Sequence, residues 1–201
     1  MLRYLNDPAN MITSCGVVFS ALAIQLAIDG RLEIAVAVAL WAMLADQLDG
    51  VVAKRTSNRA VETAQMGKAL DGFADLLYGA VVPAIVVAKV GDHSPLSLLV
   101  VSAMLLAGAI RLSYFANFGL SGGYFRGVPL SYDIPLLAVL FLMRSFFGSE
   151  NFPVIVPLCF AALTVSHVAS IRVPAPNKAM YFVIILFSVS VSGALALRAV
   201  A

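Results

Sequence analysis

A chain of 201 residues that is 61% hydrophobic and only 12% charged, with a mean hydropathy of +0.95, excludes an ordinary water-soluble domain. Such a domain carries about twice that charged share, and this much apolar surface calls for the bilayer as solvent. The net charge of +2 comes without a basic run interleaved with aromatics, which excludes nucleic acid as an expected partner.

Apolar segments fall at 11–28, 33–53, 66–90, 95–115, 129–147, 152–171 and 178–197. Most reach the roughly 17–25 residues that a spanning helix requires. The first follows Arg3 and is long enough to cross, so an uncleaved helix is expected rather than a signal peptide. Turn-forming residues separate the segments: Asp29-Gly30, the stretch 91–95, the stretch 119–127, Gly148-Ser149 and Pro174-Ala175-Pro176. The expected fold is an all-α integral membrane protein. It forms one domain over residues 1–201, a bundle of six to eight transmembrane helices, seven by direct count. Cys15 and Cys159 lie inside apolar segments without metal-ligand spacing, and read as buried small hydrophobes.

The basic residues set an orientation. With the first segment entering from the cytoplasm, nine of the thirteen Lys and Arg residues fall inside, including Lys54, Arg55, Arg59, Arg111 and Arg126. The loop at 54–65 is then cytoplasmic.

Four aspartates interrupt two consecutive apolar segments. An ionisable side chain in a span costs about 2.5–3.5 kcal/mol and is a functional signal by default. Asp46, Asp49, Gly50 and Ala53 stand at i, i+3, i+4 and i+7, on one helical face. Gly67, Asp71 and Asp75 follow at i, i+4 and i+8, a second stripe. Two facing stripes of carboxylates repel at low dielectric unless cations neutralise them. An all-oxygen donor set suits hard divalent ions, and no His or Cys nearby suggests zinc. The small residues at 50, 53 and 67 would let a ligand approach the backbone. The competing reading pairs these aspartates with Lys54, Arg55 or Lys68.

These residues resemble the signature of the CDP-alcohol phosphatidyltransferase family, D-x2-D-G-x2-A-R-x8-G-x3-D-x3-D. Asp46, Asp49, Gly50, Ala53, Gly67, Asp71 and Asp75 match seven of its eight fixed positions. The motif arginine is replaced by Lys54, with Arg55 beside it, and twelve residues rather than eight separate Lys54 from Gly67. The extra length falls at Thr56 to Arg59. Outside the motif, the run Leu70 to Asp75 with Gly79 and Pro83-Ala84, the segment Ala109 to Leu112, Gly127-Val128-Pro129 and Pro176-Asn177-Lys178 are similar to the phosphatidylserine synthase branch.

The resemblance implies a helical membrane enzyme, usually a homodimer, whose polar active-site cavity faces the cytoplasm. It implies two divalent ions, Mg²⁺ or Mn²⁺, on Asp46, Asp49 and Asp71, with Asp75 as general base and possible further ligand. It also implies a CDP-binding set of Asp46, Gly50, Ala53, Lys54, Arg55 and Gly67. The substrates would be a CDP-activated lipid, CDP-diacylglycerol in the branch it resembles, and a small alcohol, L-serine first. Glycerol phosphate or inositol phosphate is the alternative acceptor. Arg111 and Arg126 are candidates for the lipid phosphate or acceptor. Asp133 is a candidate counter-ion for an amino-acid ammonium, with a local bond to Lys178 or backbone as the plainer reading. His167 reads as a hydrogen-bonded packing residue. Outside the enzyme class, a membrane transporter with an acidic metal-binding pore remains the alternative, although no inverted repeat supports it.

Overall fold

The structure, a computed structural model, describes residues 1–120 and 122–200. Helix α1 spans Pro8–Ile28 and begins where the sequence dictates. Asp7 caps it by accepting from the Asn10 backbone N–H at 3.1 Å, and Pro8 occupies the first turn, where no intrahelical donor is needed. Helix α2 covers Leu32–Arg55 and α3 covers Val61–Leu76. A π-helical turn, Leu77–Val81, joins α3 to α4 at Val82–Val90 without a break, so the helical run from 61 to 90 is 30 residues long. Helix α5, Pro95–Phe118, starts at a Ser94 cap followed by proline. Strand β1 (Tyr124–Arg126), α6 (Asp133–Leu142), α7 (Arg144–Phe147), α8 (Phe152–Val168), β2 (Arg172–Pro174) and α9 (Lys178–Val200) complete the order.

Among the described residues five helical runs are long and apolar enough to cross a membrane: α1, α2, the run from α3 to α4, α5 and α9. Two shorter apolar helical stretches, Leu130–Leu142 and Phe152–Val168, account for the other two expected segments. The fifth segment is shorter than its composition suggests, because the chain leaves the α-helix at Met143 and ends α7 at Gly148 with φ +75°.

The bundle is organised around α2, which packs against α1, α6 and α9. Its alanines at 35, 37, 39, 42 and 45 are buried and allow close approach. A Cβ on Gly16 of α1 would already stand 3.4 Å from the Ala42 carbonyl oxygen and the Ala45 side chain. Leu40, Tyr78, Val82, Ile134, Leu137, Phe141, Val156 and Phe160 fill the shared core. The packing stripe of α1 runs through Gly16, Ser20, Ala23 and Ala27. Cys15 lies beside that stripe and is exposed on the outer face, and Cys159 is half-buried, which corrects the expectation that both are core residues.

The helices are supplemented by a two-stranded antiparallel ribbon, in which Tyr124, Phe125 and Arg126 face Pro174, Val173 and Arg172. Strands of three residues leave no alternating pattern in the sequence. The ribbon is pinned to α8: the Gly127 N–H donates to the Ile171 carbonyl at 2.8 Å and the Val128 N–H to that of Ser166 at 3.0 Å. Gly127 has φ +73°, and a Cβ there would run into the His167 carbonyl oxygen. Gly127→Ala should therefore lose at least the roughly 1–2 kcal/mol of left-handed strain, with the clash in addition. A fall in the thermal midpoint in detergent larger than that of Gly148→Ala, which meets the same left-handed strain (φ +75°) at an open position without the clash, checks this.

Candidate active site

The two aspartate stripes meet. Asp46 and Asp49 on α2 face Asp71 and Asp75 on α3, and the carboxyl groups of Asp49, Asp71 and Asp75 all lie close enough to that of Asp46 to interact electrostatically. Asp49 is buried, and the other three are half-buried. Three of them are held by hydroxyls of the chain. Thr13 of α1 donates its hydroxyl to Asp49 Oδ2, and the Tyr78 hydroxyl lies 2.9 Å from Asp46 Oδ2 and 2.8 Å from Asp75 Oδ1. Among the described residues the only basic and acidic side chains within ion-pair distance are Arg59 with Asp7 and His167 with Asp133, so Lys54, Arg55 and Lys68 do not pair with these aspartates. Lys68 instead donates to the Ala116 carbonyl at 3.1 Å.

A cavity of about 200 Å³ opens beside this cluster. Asp49, Gly50 and Ala53 of α2 form one wall, Gly67 and Asp71 of α3 another, and Asn10 and Thr13 of α1 a third. Gly50 is open: a Cβ there meets nothing within 4 Å. Gly67 is different. A Cβ at 67 would collide with Asn10 Oδ1 and stand 3.0 Å from Arg59 Nη2, so this glycine lets α1 and the loop approach α3. Lys54 and Arg55 are exposed in the last turn of α2 and do not line the cavity. A second, apolar cavity of about 260 Å³ is lined by Met43 and Gln47 of α2 together with α9 and the ribbon. The two cavities thus share α2, and Gln47 follows Asp46 directly.

Three contributors were not legible as site residues in the sequence. Asn10 Nδ2 donates to the carbonyls of Tyr4 and Thr63, while its Oδ1 accepts from Arg59 Nη2 at 2.9 Å. Arg59 also grips Asp7 with two bonds, Nε to Oδ2 at 2.9 Å and Nη2 to Oδ1 at 2.8 Å. The stretch 56–59, which lengthens the motif spacer, thereby clamps the start of α1 over the cavity. Thr13 is the third. No local pattern links residue 13 to residue 49 or residue 10 to residue 63.

Arg111, on α5, is 7% exposed; its Nε donates to the Val128 carbonyl at 2.7 Å and its charge faces Asp75. Among the described residues its Nη1 and Nη2 make no hydrogen bond. Arg126 is exposed on β1 and does not line the cavity. Asp133, at 2% exposure, is engaged by His167, whose Nε2 lies 3.0 Å from Asp133 Oδ1 and whose Nδ1 lies 2.8 Å from the Val128 carbonyl oxygen. The local partner of Asp133 is therefore His167 and not Lys178, and His167 is the hydrogen-bonded packing residue expected.

The donor set fits a hard divalent cation in its chemistry: every candidate ligand is a carboxylate oxygen. Among the described residues Asp46 Oδ1 is buried with no hydrogen-bond donor beside it, the kind of orphaned atom that a bound ion would satisfy. Among the described residues no three acidic side chains converge into a closed ligand set. The carboxyl groups line a polar centre that is open towards the cavity.

The model of the family described as CDP-alcohol phosphatidyltransferase matches residues 7–123, which include the whole carboxylate cluster and the cavity beside it. An archaetidylserine synthase of Methanothermobacter thermautotrophicus is 33% identical over 156 residues, 76% of this chain. The match spans 64% of that relative's own length, a little under two thirds.

The Asp7–Arg59 clamp makes a pH-dependent prediction. Burial acts to raise the Asp7 carboxyl, but the bonds and charge of Arg59 and the Asn10 backbone N–H outweigh it and hold it below the ordinary carboxylate value. A depressed folded-state value contributes stability above the unfolded one, about 3.9, and loses it as pH falls through the folded one. The thermal midpoint of Arg59→Ala should lie below that of the wild type near neutrality, and the gap should close with acidification from about pH 6 to pH 2. A gap independent of pH would show that Arg59 acts only by packing.

Proposed function

The chain belongs to the CDP-alcohol phosphatidyltransferase family, and from that premise we propose that it transfers the phosphatidyl-type group of a CDP-activated lipid to the hydroxyl of L-serine, releasing CMP. The observation that carries the reading is the cluster of four carboxyl groups that, among the described residues, make no ion pair, beside a cavity floored by the open Gly50. A site built to hold a pyrophosphate with lysines and arginines alone would have paired these acids internally.

Divalent ions bound by Asp46, Asp49 and Asp71 would neutralise the pyrophosphate and the charge that develops on CMP. The nucleotide occupies the cavity, with Gly50 and Ala53 permitting contact with the backbone of α2. Asp75 accepts the proton of the serine hydroxyl. The freed oxygen forms a bond to the β-phosphorus, the bond from that phosphorus to the oxygen of CMP breaks, and CMP departs with its electron pair. The lipid chain lies in the apolar cavity on the other side of Gln47.

Serine is favoured as acceptor on two grounds. The relative named an archaetidylserine synthase aligns over most of this chain. Arg111 faces Asp75 with its Nη1 and Nη2 unengaged, so a carboxylate held there would set the hydroxyl of the same small molecule near the base. Glycerol phosphate or inositol phosphate would bring a dianion in need of more than one cation. Arg126 and Arg172 stand opposite each other on the ribbon and exposed, outside the cavity. Asp133 is occupied by His167, so the ammonium is left to solvent or substrate.

The direct test is CMP release from CDP-diacylglycerol by purified protein, with serine, glycerol phosphate or inositol phosphate as acceptor. Serine should support turnover, EDTA should abolish it and Mg²⁺ or Mn²⁺ should restore it. Full activity in metal-free buffer would overturn the metal assignment.

Two substitutions divide the roles. Asp75→Asn should keep CDP-lipid and metal binding while losing at least the roughly 10²–10⁴-fold typical of general-base catalysis. Asp49→Asn should weaken both bindings. Rescue of Asp75→Asn by excess Mn²⁺ would make Asp75 a ligand first and a base second.

A further inference from the structure

The second aspartate stripe does not end at Asp75. Tyr78 follows at i+3, is 1% exposed, and heads the largest fully buried side chains of the core. Its hydroxyl is shared between carboxyl groups from two different helices, 2.8 Å from Asp75 Oδ1 and 2.9 Å from Asp46 Oδ2. It sits in the π-helical turn Leu77–Val81, a local departure that tends to mark functional positions.

A buried phenol needs one partner, and a core tyrosine ordinarily finds it in a backbone carbonyl or a single side chain. Here both partners are aspartates of the polar cluster. A phenol carries one hydrogen and acceptor capacity on the same oxygen. Both contacts therefore run through a single atom, and rotation of either carboxyl lengthens one of them. The contact is also selective. Tyr78 engages Oδ2 of Asp46, and Oδ1 of the same group is the buried oxygen left without a partner.

We propose that Tyr78 is a positioning residue for the transfer reaction: its hydroxyl ties Asp75 to Asp46, holding one oxygen of Asp46 and presenting the other to a divalent cation. Groups that hydrogen-bond a metal ligand fix its orientation, and their loss typically costs about 10–100-fold in metal affinity or activity. The inference rests on the metal and base assignments proposed above, and extends them to a residue outside the aspartate motif. Tyr78 does not line the nucleotide cavity, so its removal acts through the two carboxyl groups.

The test is Tyr78→Phe, which keeps the ring and deletes only the hydroxyl. Mn²⁺ binding is measured on substrate-free protein by the electron paramagnetic resonance of the free ion, with Asp46→Asn in parallel. Tyr78→Phe should bind Mn²⁺ about 10–100-fold more weakly. At saturating Mn²⁺ it should lose kcat while KM for the CDP-lipid is unchanged. Wild-type Mn²⁺ affinity in Tyr78→Phe beside lost affinity in Asp46→Asn overturns the role of Tyr78 alone. Wild-type affinity in both overturns the metal assignment and this inference with it. The thermal midpoint verifies that the packing survives. Should Tyr78→Phe not fold, wild-type protein labelled with 3-fluorotyrosine serves instead. Addition of Mg²⁺ must shift the fluorine resonance of one of its six tyrosines, and six unmoved resonances overturn the proposal.

Discussion

Holding four carboxyl groups together inside an apolar helical bundle is the constraint on which the rest of this molecule turns. Each acid in a span carries an insertion cost of about 2.5–3.5 kcal/mol, and clustering adds mutual repulsion. Hydroxyls from within the bundle offset part of that cost, Thr13 on Asp49 and the Tyr78 hydroxyl shared between Asp46 and Asp75. They do not supply positive charge. The nearest buried cation, Arg111, faces Asp75 but spends its Nε on a backbone carbonyl. A cluster so built is under-neutralised by its own chain, which is the electrostatic condition of a site that receives cations and an anionic substrate together.

The supporting helices follow from that need. Helix α2 must present two aspartates on one face and still pack tightly on the others, and its run of alanines reconciles the two by letting α1 approach through Gly16. The same close approach brings Asn10 and Thr13 of α1 to the cavity. Gly67 completes the arrangement from α3, where any side chain would displace Asn10. Small residues that the chemistry of a ligand alone would explain are thus also the conditions for three helices to converge.

Much of this was legible in the amino-acid sequence, because the signals were local and periodic. Seven apolar segments, two carboxylate stripes and the spacing of Asp46, Asp49, Gly50 and Ala53 all survive as helices and faces. What was not legible depends on pairings distant in the chain. Arg59 looked like part of a tolerant surface loop and instead reaches back 52 residues to Asp7. Asp133 found His167 through the turn at Val128, a geometry no window of sequence contains. Tyr78 stands at the next position of its stripe, at 67, 71, 75 and 78, but an aromatic residue in a span reads as packing when seen in sequence alone.

The π-helical turn at Leu77–Val81 divides one continuous helix into two registers. Before it, the helix turns Asp71 and Asp75 towards the polar centre; after it, Val82, Val86 and Val87 are wholly buried in the core. An i→i+5 turn accommodates one residue more than an α-turn, so loss of a single residue there would rotate one half against the other by about 100°. To a family alignment this would be a gap of one position in an apolar stretch, trivial to score and easily overlooked. To the protein it would be a choice between keeping its core and keeping its chemistry.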